Sequence, residues 1–241
     1  MDDRTKESGA NRHRWLERRP EMGTEPVPVA RVTDPDYYER EREKIFKRSW
    51  LHMGRVSDIP NKGDWFVQDV VVANTSLIIV RGQDGVIRAF HNICRHRGCK
   101  LAFDKKGTSS GMLSCRFHGW TYDTTGELRY VPQEENYYEP LCGKQNLISV
   151  ACDIWEGFIF VNLDPEPKET LLEFLGPAAD RFEGYPFDKN ATELIYRGDI
   201  KANWKLVMDA QAEAIHAAFV HTKPWPGLFS GGKTPFANYL D

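Results

Sequence analysis

The 241-residue chain is long enough for one or two domains with a sizeable core, and its 41% hydrophobic and 28% charged residues are ordinary for a globular protein. A net charge of −3 gives no reason to expect nucleic acid or an anionic membrane surface as partner, and no apolar run approaches the ~20 residues of a membrane span. Five cysteines, an odd number, argue against a secreted disulfide framework and for a reducing cytoplasm.

Residues 1–26 are charged, with Arg12, Arg14, Arg18 and Arg19 among Asp, Glu and Gly, and read as a solvated arm. A helix follows: Thr33 or Asp34 can cap it, Pro35 suits its first turn, and Tyr38, Ile45 and Phe46 among the charges of 39–44 give a partly buried surface helix whose aromatic residues read as core contacts. From Trp50 the signal turns to β. Residues 65–72 and 76–80 are rich in β-branched and aromatic types, and Gln83-Asp84-Gly85 is a hairpin turn into a strand over 86–90. Strands at 120–122 and 128–130 flank the turn Asp123-Thr124-Thr125-Gly126, and 154–163 reads as one buried strand that closes the region. Cys142 and Cys152 lie without ligand spacing and read as structural. Asp164-Pro165-Glu166-Pro167 marks a boundary, since two prolines hold the link extended. Beyond it, Leu171, Leu172, Phe174 and Leu175 predict an amphipathic helix, residues 192–200 alternate like a strand, and 203–221 is helical in composition. The domains expected are an arm and helix over 1–45, a β domain over 46–164, and the start of a further domain over 165–241.

The chemistry concentrates at residues 94–120. Cys94 and His96, then eighteen residues on Cys115 and His118, offer a thiolate and an imidazole from each of two short loops. Such a set suits either a tetrahedral zinc or a [2Fe-2S] cluster in which two His replace two Cys on one iron. The mixed loops favour the cluster, because zinc fingers place both cysteines in one loop and both histidines in another. With strands on either side, both pairs are expected at hairpin tips that clamp the cluster from two sides.

The runs His91-Asn92-Ile93-Cys94-Arg95-His96-Arg97-Gly98 and Cys115-Arg116-Phe117-His118-Gly119-Trp120 resemble the Rieske domain of ring-hydroxylating oxygenases. By that resemblance Cys94 and Cys115 would hold one iron, and His96 and His118 the other. Respiratory Rieske proteins add a bridged Cys to each loop; here Cys99 matches the first, but Phe117 occupies the place of the second. Cys99 is therefore expected to be a buried small apolar residue, and the cluster to have the lower potential of the oxygenase type.

Residues 203–221 carry a second constellation. Glu213 and His216, at i and i+3, share a helix face, while His221 lies about 140° further round, so both His reach one metal only if the helix distorts or ends between them. Asn203-Trp204-Lys205 followed by Glu213, His216 and His221 resembles the catalytic signature of Rieske oxygenase large subunits. The resemblance implies that His216 and His221 bind a mononuclear non-haem Fe(II), and that Glu213 bridges His216 to a cluster histidine of a neighbouring subunit, most plainly His118. Asp209 reads as a plain helix carboxylate. The family's third iron ligand, an Asp far downstream, has no counterpart before Asp241, so the chain is expected to be the N-terminal portion of such a subunit.

The fold class implied is α+β, with an all-β Rieske domain set near the N-terminus of an α+β catalytic domain. The function implied is hydroxylation of a small aromatic substrate with O2, using electrons from NAD(P)H delivered by a reductase and possibly a ferredoxin, in a homotrimer or α3β3 assembly. An O- or N-demethylating monooxygenase uses the same parts. A stand-alone Rieske electron carrier would need only about Trp50 to Leu163, and a structural zinc protein would be colourless and without acid-labile sulfide.

Overall fold

The computed structural model describes residues 25–189 and 198–212, together with Glu21, His216 and Val220. It divides into a compact unit over Glu39–Gly198 and a second made of Met1–Tyr38 with Asp199–Asp241.

In the second of these, helix α4 (Trp204–Ala212) is the longest described helix. The Lys205 ammonium sits 5.3 Å from the ring centres of both Tyr37 and Trp204, a cation held by two aromatic faces. The strand expected over 192–200 lies mostly outside the described residues.

Helix α1 (Pro35–Glu41) begins where Pro35 fixes the backbone, with the Asp36 amide donating to Asp34 Oδ1 at 2.9 Å, and continues as a π-turn over Arg42–Phe46. Its buried residue is Glu41. The element is a partly buried surface helix as expected: Phe46 is half-buried, whereas Tyr38, expected as a core contact, is 36% exposed and Ile45 is 42% exposed.

In the larger unit a sheet of seven strands has the order β1-β10-β9-β4-β3-β2-β5: β1 Trp50–Arg55, β2 Asp64–Val70, β3 Thr75–Arg81, β4 Ile87–His91, β5 Lys106–Thr108, β9 Ser149–Trp155 and β10 Phe158–Asn162. Three short strands, β6 Met112–Ser114, β7 Thr121–Asp123 and β8 Leu128–Tyr130, make a smaller antiparallel sheet. β3 explains the division of the interior. Its apolar run Leu77-Ile78-Ile79-Val80 is buried on both faces, and period-2 alternation sends Leu77 and Ile79 to one core, Ile78 and Val80 to the other. The first core is closed by Val150 of β9 with Ile159 and Val161 of β10, so the large sheet curls over it. The second brings in Leu113, Tyr122 and Leu128 from the small sheet, with Cys94 and Cys115 among them. Each buried aliphatic side chain contributes ~1.5–3 kcal/mol, so this double burial of β3 anchors both halves.

The single strand expected over 154–163 is a hairpin. Glu156 and Gly157 adopt φ of 47° and 80°, the two positive values of a type I′ turn, and pair Trp155 with Phe158. Glu-Gly is a weak turn signal beside Asn-Gly, and the aromatic residues on both sides mask the reversal. Helix α2 (Leu171–Leu175) starts as expected, with Thr170 and Glu173 in a reciprocal capping box and Leu171 buried. Helix α3 (Pro177–Phe182) follows, with Pro177 in its first turn.

All five cysteines are unbridged. Cys142 and Cys152 are half-buried against the two cores, and burial pushes the Cys152 thiol up to about 12. Cys99 is likewise half-buried rather than fully enclosed. Among the described residues no helix is long and apolar enough to cross a membrane.

Candidate metal centre

The two ligand loops share one backbone design. In the first, Cys94 N donates to Cys99 O at 2.8 Å and Gly98 N to Cys94 O at 3.0 Å; in the second, Cys115 N donates to Trp120 O at 2.8 Å and Gly119 N to Cys115 O at 2.9 Å. Both need a left-handed residue five positions into the loop, and Gly98 and Gly119 supply it with φ of 73° and 72°. Gly119 is constrained twice, because a Cβ there would meet Pro132 Cγ at 3.2 Å. The histidine stands two residues after the cysteine in the first loop and three after it in the second. From matching backbones the two imidazoles thus leave at different positions and meet, with ring centres 4.5 Å apart and planes at 72°.

The second loop joins the paired strands β6 and β7, a hairpin tip as expected. The first is not at such a tip. It follows β4, and the next strand, β5, lies at the sheet edge beyond β3 and β2. What holds it is Asn92, which is 1% exposed. Asn92 Oδ1 accepts from Leu101 N at 3.1 Å and Ala102 N at 2.8 Å, and Nδ2 donates to Ala102 O at 2.8 Å, so one side chain splices the loop's return to its start. The sequence reading missed this residue, since a lone Asn at a strand end has no periodic signal.

Sulfur and nitrogen are sorted by depth. Cys94 and Cys115 are 2% and 3% exposed, whereas His96 is half-buried and His118 open to solvent. The Tyr122 hydroxyl accepts from Arg95 N at 3.0 Å and lies 3.4 Å from Cys94 Sγ, so its proton is left to point at the sulfur. Burial raises the Cys94 thiol and Tyr122 partly offsets this by stabilising the thiolate. Burial, with His118 and Arg97 nearby, lowers His96, which is the neutral form that ligates metals. His96 Nδ1 is buried and has no hydrogen-bond partner among the described residues.

A family model for the Rieske [2Fe-2S] domain matches residues 49–151. Residues 49–151 are a Rieske [2Fe-2S] domain. The chain is related to the oxygenase components of Rieske oxygenases. It is 29% identical over 197 residues to the carnitine monooxygenase oxygenase subunit of Escherichia coli K12, covering 81% of this chain and 52% of that protein. It is 35% identical over 197 residues to the large oxygenase component of the naphthalene 1,2-dioxygenase system of Pseudomonas aeruginosa, covering 78% and 42%. A solved quaternary ammonium Rieske monooxygenase, described in terms of carnitine oxidation and inter-subunit electron transfer, superposes with a TM-score of 0.69 at 25% identity, over 81% of this chain and 57% of that one. The chain spans about half the length of the curated relatives it matches.

The family implies a Rieske [2Fe-2S] cluster, and the residues present fit it. An orphaned, buried imidazole nitrogen beside two buried thiols is a donor set awaiting soft metal, since a buried polar atom left unpaired is costly. Among the described residues no three His, Cys, Asp or Glu side chains converge on one ion. Two sulfurs set deep and two nitrogens set shallow match two irons with two protein ligands each better than one tetrahedral zinc.

The second constellation is only partly in view. Glu213 and His221 lie outside the described residues. His216 O accepts from Val220 N at 2.8 Å, a helical i to i+4 spacing.

Proposed function

We propose that this chain is the cluster-bearing portion of the large subunit of a Rieske non-haem iron oxygenase. The observation that carries it is the meeting of His96 and His118 above the buried Cys94 and Cys115, on a chain related to oxygenase components. When bound, the [2Fe-2S] cluster supplies one-electron storage, and a mononuclear iron supplies the place where electrons meet dioxygen. Cys94 and Cys115 would hold one iron of the cluster and His96 and His118 the other. Tyr122 steadies the charge on Cys94 sulfur, and the exposed His118 presents an edge to a partner. His216 and His221 would bind the mononuclear iron, with Glu213 linking His216 to His118 of a neighbouring copy. Electrons would come from NAD(P)H through a reductase, with or without a ferredoxin, into a homotrimer or α3β3 assembly.

For the substrate, hydroxylation of a small aromatic ring is supported by the naphthalene-oxidising relative. A second reading, oxidative monooxygenation at a quaternary ammonium compound, is favoured by the carnitine relative and by the solved monooxygenase. The electron-handling core of the proposal is tested by anaerobic reductive titration of the iron-loaded protein. Uptake of a single electron by the cluster, with a paramagnetic signal from the mixed-valence iron pair, is expected. A protein that takes up no electrons would rule it out.

A further inference from the structure

The two imidazoles lead outward by different surroundings. His118 is exposed at the loop tip beside Phe117 (ring centres 4.0 Å apart), on loops that also carry the exposed Arg95, Arg97 and Arg116, the last paired with Asp104 at 3.0 Å. His96 instead stacks flat on Trp120, with ring centres 4.9 Å apart and planes at 9°. Trp120 is 3% exposed and meets Tyr137 edge-on, with ring centres 6.4 Å apart and planes at 71°. Tyr137 is 39% exposed, and Tyr138 beside it is fully exposed.

The segment that carries these tyrosines is built to stay in place. Glu134 Oε1 accepts from Leu141 N at 2.7 Å and Cys142 N at 2.8 Å and so closes the loop 134–142, while Pro132 just before it packs on Gly119 of the second ligand loop. Its charge differs from that of the tip. Glu134 and Glu135 make no ion pair among the described residues, and Glu139 is paired with Lys144 at 2.7 Å. Electron tunnelling decays less steeply through packed rings than across solvent, so the succession His96, Trp120 and Tyr137 offers a route between the half-buried imidazole and the surface.

We propose that Trp120 and Tyr137 are positioning residues for electron entry, coupling the surface of the 134–142 loop to His96 separately from the exposed His118 edge. This rests on the Rieske reading above. The donor is a one-electron carrier protein bearing an iron–sulfur or flavin group. It is oxidised by one electron, and one ferric ion of the pair becomes ferrous; no bond is made or broken, and neither ring is itself reduced.

The test is stopped-flow reduction of the cluster-loaded protein by two small reductants of opposite charge, followed by bleaching of the visible absorption. The methyl viologen radical cation is drawn to the acidic loop, and anionic dithionite is repelled from it. Tyr137→Ala, at an exposed position, is expected to slow reduction by the viologen several-fold while leaving the dithionite rate, the visible spectrum and the iron content as in the parent protein. Glu135→Lys, which reverses a charge on the loop and leaves the three rings in the sequence, is expected to slow the viologen reaction alone. A slowing shared by both reductants, or none with the viologen in either variant, overturns the proposal. A parent protein without a visible chromophore or sulfide would overturn the Rieske reading instead.

Discussion

Replacing Cys115 by serine is expected to abolish the cluster, leaving a colourless protein with no acid-labile sulfide. The thiolate is the soft donor that holds iron next to sulfide, and a serine hydroxyl stays protonated at neutral pH and gives a hard, weak ligand. Cys115 is 3% exposed within the core that also holds Cys94, Trp120 and Tyr122, so solvent cannot supply a substitute ligand without opening that core. The loss extends to stability. A buried hydroxyl without a partner costs about 1–3 kcal/mol, and metal binding, which favours only the folded chain, is forfeited as well. Chemical analysis of iron and sulfide, read beside thermal unfolding, checks both halves. A variant that keeps its sulfide would remove Cys115 from the ligand set.

The second large effect lies outside the ligands. Asn92→Ala is expected to cost about 3 kcal/mol, because it strands the buried amides of Leu101 and Ala102 and the carbonyl of Ala102 together. For a unit of this size that lowers the unfolding midpoint by roughly 10 °C. The same bonds fix the return of the first ligand loop, so iron should dissociate faster from the variant in the presence of a chelator. Thermal unfolding followed by circular dichroism, with release of iron to a coloured chelator, gives both numbers. A shift within a degree or two of the parent protein would mean that the loop is held by Cys94 N and Gly98 N alone.

The candidate ligand pairs Cys94, His96, Cys115 and His118 stood out by their spacing, because metal chemistry needs such side chains whatever surrounds them. The strands were legible where apolar residues ran long, as at 76–80, or where a turn was spelled in small polar residues, as at Gln83-Asp84-Gly85. The hairpin at Glu156-Gly157 was hidden because the turn lacks Asn or Asp, and its flanks Trp155 and Phe158 are as aromatic as a strand interior. The burial of Glu41 and the π-turn that follows it over Arg42–Phe46 were not legible either, since no apolar pattern announces a change of helical period. The tertiary partners of the site were the least legible part. Asn92 acts through bonds nine and ten positions on, Trp120 stacks on His96, and Tyr122 reaches Cys94 across 28 positions; one chain's spacing carries no record of such contacts. Lys205 belongs with them, since its aromatic neighbour Tyr37 is far away in the sequence.

The central claim is that the two loops hold a diiron cluster, and the most direct measurement is iron, zinc and acid-labile sulfide per chain in protein purified without oxygen. The Rieske assignment predicts about two sulfides with at least two irons and no stoichiometric zinc. One zinc per chain with no sulfide would contradict it, and would make Cys94, His96, Cys115 and His118 a structural tetrahedral site.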